Sequence, residues 1–252
     1  MPRVLVTNDD GVRSDGLHAL AGALAPLGEV YVVAPTAEAS AVGHALTVRR
    51  PLRIEQIAER WFGVDGTPTD CINIAISQIL EGVPDLIASG INKGWNLGDD
   101  VTYSGTVAGA MEGALLGVPS LAVSQQRVSG VFDFTQAASA AVCLTKAMLD
   151  YGWPARTFLN VNVPRRKARG IRVTVQAHQT NGTAVVDRLD PRQQPYYWIE
   201  EGQKDWEPNS RSDYEAVRDG WISVTPLQPD WTDYNAMDCL EALALGAYSE
   251  AR

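Results

Sequence analysis

The stretch MPRVLVTNDDGV, Met1–Val12, decides the fold that we expect for the rest of the chain. Its apolar run Val4–Val6 predicts a buried strand, which ends where two adjacent carboxylates, Asp9 and Asp10, precede a glycine. An apolar periodicity that begins after Ser14 then predicts a capped helix. The carboxyl ends of the strands in an open parallel sheet face the ligand crevice, so this strand would carry both carboxylates into it.

These two carboxylates admit two interpretations when the stretch is taken alone. The tetrapeptide Asn-Asp-Asp-Gly is typical of a solvated turn between a strand and a helix. Adjacent carboxylates also repel one another unless a cation or a shared proton compensates, which favours a metal site. The later segments of the chain bear on the choice.

Composition restricts the classes of function. The chain has 252 residues, enough to bury a substantial core, and its 21 basic and 30 acidic residues give a formal net charge of −9. An acidic chain is a poor general ligand for the phosphate backbone, so we expect no nucleic-acid partner. A small anionic substrate in a locally electropositive pocket is compatible with this charge.

Targeting and cysteine patterns predict a cytoplasmic protein without a membrane partner. We recognise no signal peptide, and no apolar run reaches the roughly 18–20 residues that span a bilayer. Cys71, Cys143 and Cys239 are scattered without CxxC or Cys/His spacing. Neither disulfides nor a structural zinc site is therefore expected.

Strand and helix signals alternate from Val4 to Val163, the pattern of a doubly wound, mostly parallel sheet. Segments 46–57 and 61–64 could pair as an antiparallel arm beside it. The further strands are predicted at residues 29–34, 85–89, 119–124 and 157–163. Helices are predicted from Pro68, capped by Thr67, from the Ser104 turn, and over Phe134–Leu149.

Polar residues follow several of these strands. Ser40 lies in the loop after the second strand, where a turn or cap is the usual role of a serine. In the same loop His44 is expected to be structural, or to support a metal ligand, rather than to be a ligand itself, because no other histidine is near. Asn92 and Asn96 lie in a glycine-rich loop after the third parallel strand, and their amide groups could bind a hard cation or phosphate.

The turn Ser104-Gly105-Thr106 opens a helix of small residues. Backbone N–H groups and hydroxyls at a helix amino end bind phosphate well, whereas the alternative is a simple helix cap. The turn is not a P-loop, because GxxxxGK[ST] is absent.

The character of the sequence changes after Pro164. Residues 181–220 are polar and aromatic, which predicts a projecting hairpin or interaction arm, and a terminal helix is predicted at Asp238–Tyr248. We expect an α/β catalytic core over residues 1–180. A β-hairpin extension and a C-terminal dimerisation tail would occupy 181–252, with a final core strand near 221–225.

At this point the chain closely resembles the SurE (survival protein E) family of metal-dependent nucleotidases. The matching segments are VLVTNDDG at 4–11, VVAP, Ser40 and GHALT within 32–47, DGTPTDC at 65–71, SGINKGWNLGDDVTYSGTVAGAMEG at 89–113 and DPRQQPYYWI at 190–199. The likeness spans nearly the whole chain. It implies a Rossmann-like α/β core, a β-rich extension and a C-terminal tail that swaps between subunits, and hence a homodimer or homotetramer.

The resemblance also implies a set of site residues. The metal ligands would be Asp9, Asp10, Ser40 and Asn92. We predict the two aspartates to be the catalytic residues as well, and the sequence leaves open whether one of them acts as general base or as nucleophile. Phosphate or substrate contacts would come from Asn8, Asn96, Ser104, Gly105 and Thr106. The loop before Ser40 departs from related sequences, which usually carry more charged residues there, so fine substrate preference stays open.

An all-oxygen ligand set suits Mg²⁺ or Mn²⁺ and disfavours zinc. We therefore predict a divalent-metal-dependent phosphomonoesterase of the 5'-nucleotidase type, which hydrolyses nucleoside monophosphates to nucleoside and phosphate. One rival is a nucleotide-binding oxidoreductase, which the missing GxGxxG after the first strand disfavours. Another is a non-catalytic metal- or nucleotide-sensing module, which the same ligand set could serve.

Overall fold

A nine-stranded mixed sheet with helices on both faces forms the centre of the molecule, in a computed structural model that describes residues 1–127 and 130–242. The described residues form eleven strands, of which β9 and β10 lie outside this sheet. They are β1 (Arg3–Thr7), β2 (Glu29–Pro35), β3 (Ile54–Ala58), β4 (Trp61–Val64), β5 (Leu86–Lys93), β6 (Ser120–Gln125), β7 (Phe158–Val163), β8 (Ile171–Val173), β9 (Gln179–Leu189), β10 (Pro195–Trp206) and β11 (Ile222–Leu227). The helices are α1 (Asp15–Leu24), α2 (Pro68–Ile74), α3 (Gly105–Leu115), α4 (Thr135–Tyr151), α5 (Asp213–Arg218) and α6 (Tyr234–Ala242).

The strand order is β3-β4-β2-β1-β5-β6-β7-β11-β8. Neighbouring strands from β4 to β7 run parallel, whereas β3 is antiparallel to β4 and β11 is antiparallel to β7. The chain places β2 on one side of β1 and β5 on the other, so a crevice opens at the carboxyl end of β1. The predicted Rossmann-like, mostly parallel sheet is confirmed.

The side chains of strand β1 pack against helices on both faces of the sheet. Val4 and Val6 lie in a core cluster with residues of α1 and α4 on one face, and Leu5 lies with residues of α2 on the other. All three side chains are fully buried. The end of β1 is therefore held firmly at the centre of the sheet, where Asn8, Asp9 and Asp10 follow it.

The sequence predicts a capped start for both α1 and α2, and only α2 has a side-chain cap. Thr67 caps α2 in a reciprocal capping box with Asp70, and Pro68 occupies the first turn. Ser14 stands at the N-cap of α1 with an extended backbone, but its side chain makes no capping hydrogen bond.

The predicted antiparallel arm is part of the main sheet. β3 pairs with β4 as expected, but β4 also pairs in parallel with β2. The pairing begins only at Ile54, because Pro51 has no N–H and the N–H of Arg53 donates to the Asp65 carboxylate at 2.7 Å.

Strands β9 and β10 form a separate two-stranded antiparallel sheet, which is the predicted β-rich extension. It begins at Gln179, two residues before the expected boundary. Among the described residues, no helix is both long and apolar enough to cross a membrane.

The terminal helix begins earlier than the sequence predicts, at Tyr234, and is described as far as Ala242. None of its described residues is buried. The rest of the predicted helix, including Ala244 and Tyr248, lies outside the described residues.

Helix α1 lies so close to the sheet that one of its glycines has no room for a side chain. A Cβ at Gly16 would stand 2.1 Å from the carbonyl oxygen of Ile91, whereas a Cβ at Gly22 would meet nothing within 4 Å. We expect Gly16→Ala to destabilise the protein by about 1–3 kcal/mol through overpacking. Gly22→Ala is the matched control, and we expect it to gain up to about 1 kcal/mol from helix propensity.

Urea unfolding midpoints of the two variants measure this difference. Equal midpoints for the two alanine variants would contradict the close packing of α1 on the end of β5.

Candidate active site

A pocket of about 930 Å³ opens at the carboxyl ends of the central strands. Six of the nine site residues predicted from the sequence line it, namely Asp9, Asp10, Ser40, Asn92, Asn96 and Ser104. The other three, Asn8, Gly105 and Thr106, are buried and are not among the lining residues. Four loops that are distant in sequence therefore meet at one place.

Asp9 is the most buried carboxylate of the pocket, with 4% of its surface exposed. The hydroxyl of Thr106 donates to its Oδ1. Burial raises the pKa of Asp9 to about 6, and the charge of Asp10 adds to this rise, while hydrogen bonds from the Thr106 side chain and backbone oppose it. A buried carboxylate with a raised pKa is typical of a functional site.

The first turn of α3 stands directly against Asp9. A Cβ at Gly105 would lie 2.8 Å from the Cβ of Asp9 and 2.9 Å from its Oδ2. The positive end of the α3 dipole therefore faces this carboxylate. The structure gives Gly105 a role in close approach and Thr106 a role in holding Asp9, where the sequence predicted phosphate contacts for both.

Ser104 is the member of this turn that lines the pocket. Its Oγ accepts the N–H of Val107 at 3.1 Å, which caps α3. A hydroxyl that accepts a hydrogen bond still has its own hydrogen to donate. Ser104 can therefore cap the helix and contact a substrate oxygen at the same time.

Within the described part of the chain, three buried side-chain oxygens between β1 and α1 have no hydrogen-bond partner, namely Asn8 Oδ1, Asp10 Oδ2 and Ser14 Oγ. The Asn8 amide nitrogen donates to the Gly11 carbonyl at 3.1 Å. Burial raises the pKa of Asp10, although the charge of Lys93 opposes the rise. Buried oxygens without donors cost free energy, and a coordinated cation is one way to satisfy them.

The neutral ligands predicted from the sequence also face this pocket. The hydroxyl of Ser40 donates to Glu38 Oε1 at 2.8 Å, and the Asn92 amide nitrogen donates to the Gly94 carbonyl at 3.1 Å. The hydroxyl oxygen of Ser40 and the amide oxygen of Asn92 are hard donors for a cation. Among the described residues, no group of three or more His, Cys, Asp or Glu side chains could hold a metal.

Asn96 forms a fixed part of the pocket wall. Its amide nitrogen donates to Ser124 Oγ at 2.9 Å, and its backbone N–H donates to Asn162 Oδ1 at 2.9 Å. Its carbonyl accepts the amides of Asn160 and Asn162 at 2.8 and 3.0 Å. The side chain is thereby oriented by strands β6 and β7.

Several residues of the pocket were not identified from the sequence. They are the aromatic side chains of Trp95, Tyr103 and Phe132, the basic side chains of Arg13, Lys93 and Arg127, and Gln179, Ile199 and Glu200 of the extension. The three basic residues place cationic side chains in a pocket that carboxylates also line. The segment DPRQQPYYWI at 190–199 was the available signal that the extension reaches the site.

Comparison with known proteins places the whole chain in one family. The family model described as "Survival protein SurE" matches residues 4–183. The "5'-nucleotidase SurE" of Syntrophotalea carbinolica is 50% identical over 238 residues, 94% of this chain and 95% of that protein. The "5'-nucleotidase SurE 1" of Thermus thermophilus is 46% identical over 250 residues, 97% of this chain and 98% of that protein.

A solved structure gives the same result. The crystal structure of the SurE protein from Aquifex aeolicus matches with a TM-score of 0.85 and 44% identity, and the match covers 96% of this chain and 100% of that one. The family model includes the loops that carry Asp9, Ser40, Asn92 and Ser104. The chain therefore belongs to the SurE (survival protein E) family.

Proposed function

We propose that this protein is a divalent-metal-dependent 5'-nucleotidase, a phosphomonoesterase that hydrolyses nucleoside monophosphates to nucleoside and phosphate. The observation that carries the proposal is the pair of adjacent, half- to fully buried carboxylates, Asp9 and Asp10, on the floor of the pocket. Two relatives named 5'-nucleotidase, 50% and 46% identical over nearly the whole chain, support it.

Mg²⁺ or Mn²⁺ is the cofactor that we propose. The residues that would hold it are Asp9, Asp10, Ser40 and Asn92, all of which line the pocket. The unpartnered Oδ2 of Asp10 fits such an ion, and a set of oxygen ligands favours Mg²⁺ or Mn²⁺ over zinc. When bound, the ion supplies charge neutralisation at the phosphate and lowers the pKa of a coordinated water.

The chain's own residues would bind and orient the phosphate. The hydroxyl of Ser104 donates to a phosphate oxygen at the positive end of α3, and the Asn96 amide contributes a second polar contact. Thr106 keeps Asp9 in one orientation during this chemistry. Lys93, Arg13 and Arg127 also line the pocket, and their cationic side chains could pair with an anionic substrate.

The aromatic wall of the pocket supports a nucleoside substrate. The Trp95 Nε1 donates to the Val163 carbonyl at 2.6 Å, and the Arg165 guanidinium carbon lies 5.0 Å from the ring centroid. The indole is thus held in place, and Tyr103 and Phe132 line the same pocket. A nucleobase that stacks on an aromatic side chain gains about 1–3 kcal/mol.

Phosphate release from AMP tests the proposed activity. We expect hydrolysis with Mn²⁺ or Mg²⁺, none in EDTA, and recovery when the metal is returned. Ribose 5-phosphate keeps the phosphoester but lacks the base, and we expect its KM to be about tenfold higher because the stacking contribution is lost. Binding of AMP without phosphate release at any metal concentration would contradict the proposed enzymatic activity. It would favour the non-catalytic sensing module instead.

The raised pKa of Asp9 has a consequence for stability that is separate from activity. A raised pKa means that the folded, metal-free protein binds this proton more tightly than the unfolded chain does. This tighter proton binding stabilises the folded state. Its contribution to the free energy of unfolding is complete below a pH of about 3.8, the ordinary pKa of the group, and is lost as the pH rises to about 6. At neutral pH the ionised Asp9 therefore destabilises the metal-free protein.

Asp9→Asn should for this reason stabilise the metal-free protein at pH 7, by up to about 3 kcal/mol, and by about half as much at pH 5. Asparagine keeps an oxygen that can accept the Thr106 hydroxyl. With saturating Mn²⁺ we expect the wild type to be the more stable of the two proteins, because it binds the ion more tightly than Asp9→Asn does. Thermal unfolding in EDTA and in Mn²⁺ measures both effects, with the exposed Asp187→Asn as control, and a lower Tm for Asp9→Asn in EDTA would contradict the argument.

We also propose that the tail joins subunits into a homodimer or homotetramer. The residues Met237 and Leu240 on α6 are 43% and 54% exposed. An apolar stripe of this kind needs a surface to cover it, and a second copy of the chain offers one. The proposal is independent of the catalytic assignment.

Sedimentation velocity tests the tail. We expect Leu240→Lys to shift the full-length protein toward the monomer, because a charge replaces an apolar contact at the interface. Glu241→Lys, at the neighbouring exposed position, should leave the oligomer intact. An unchanged oligomer in the Leu240→Lys protein would show that this stripe does not hold the subunits together.

A further inference from the structure

The loop between β2 and β3, residues 36–53, carries Ser40 but contains no helix or strand. Ser40 itself is exposed, and its hydroxyl bonds only to Glu38 of the same loop among the contacts that the structure describes. A metal ligand on such a loop is useful only if other contacts fix the loop against the carboxylates.

Around Ser40 and His44, backbone N–H groups of this loop donate to three other segments of the chain. The Ala39 N–H donates to the Asp9 carbonyl at 2.8 Å, and the Gly43 N–H donates to the Tyr103 carbonyl at 2.9 Å. Farther along, the Thr47 N–H donates to Asp70 Oδ1 at 2.9 Å. Between the last two contacts lies His44.

His44 connects the loop to the interior of α3. Its Nε2 lies 2.6 Å from Oε2 of Glu112, a residue with 6% of its surface exposed. The other carboxylate oxygen of Glu112 accepts the Asn73 amide at 2.6 Å, and that amide also donates to the Thr69 carbonyl at 3.0 Å. Glu112 is thus held from α2 and from the loop, which fixes the position of the imidazole.

The same helix contacts both Asp9 and the loop that carries Ser40. Its first turn holds Asp9 through Thr106, and two turns later Glu112 holds the loop of Ser40 through His44. We propose that His44 is a positioning residue, whose bond to Glu112 sets the place of Ser40 relative to Asp9 and so completes the oxygen ligand set. This inference rests on the proposed metal-dependent function.

Contacts behind the ligands of a metal typically change metal affinity about 10–100-fold when they are removed. We expect His44→Ala to weaken Mn²⁺ binding to the metal-free, full-length protein about tenfold, measured by EPR of free Mn²⁺ without substrate. His44→Gln places an amide nitrogen where Nε2 was, so we expect its Mn²⁺ affinity to stay within about threefold of the wild type.

A double-mutant cycle with Ser40→Ala separates positioning from a general loss of structure. If His44 acts through Ser40, the double variant Ser40→Ala/His44→Ala should bind Mn²⁺ no more weakly than Ser40→Ala. Multiplied losses in the double variant, or wild-type affinity in His44→Ala, would overturn the proposal. Should His44→Ala not fold, His44→Asn takes its place, because its shorter amide cannot reach Glu112 whereas that of His44→Gln can.

The wild-type measurement distinguishes this proposal from the proposed function. If the wild-type protein binds no Mn²⁺, the proposed metal site is contradicted, and both proposals fail with it. If the wild type and His44→Ala bind Mn²⁺ equally well, only the positioning role of His44 is contradicted.

Discussion

The burial of the Asp9 carboxylate at the start of α3 is the constraint around which the pocket is arranged. Desolvation and the adjacent charge of Asp10 both oppose ionisation, and hydrogen bonds from Thr106 offset them only in part. An ionised carboxylate in such a site is unfavourable without a counter-charge, which is why the proposed cation would fit here. Natural proteins commonly accept this loss of stability where function requires it.

Three glycines spaced by four residues along α3 make this burial possible. A Cβ at Gly105 would contact Asp9 at 2.8 Å, one at Gly109 would meet Ser89 Oγ at 2.9 Å, and one at Gly113 would meet Ser120 Oγ at 2.2 Å. Positions four apart lie on one face of a helix, so this face allows α3 to settle on the sheet. The approach of the helix brings its positive end to the carboxylate.

The fold and the meeting of the loops were largely predictable, because strand periodicity is local and the carboxyl ends of parallel strands must share an edge. The partner of Thr106 was not, since a hydroxyl at a helix start suits phosphate and carboxylate equally until the gap between β1 and α3 is known. The pocket residues Ile199 and Glu200 were also missed. Periodicity within a hairpin does not tell where the hairpin folds back.

The placement of those two residues separates two parts of the pocket. Asp9 and Asn92 stand on or beside strands of the nine-stranded sheet, whereas Ile199 and Glu200 belong to the two-stranded sheet of β9 and β10, which shares no strand with it. Changes in the length or sequence of the hairpin can therefore reshape the mouth of the pocket without disturbing its floor. Selection can act on the range of molecules admitted while the chemistry beneath stays the same.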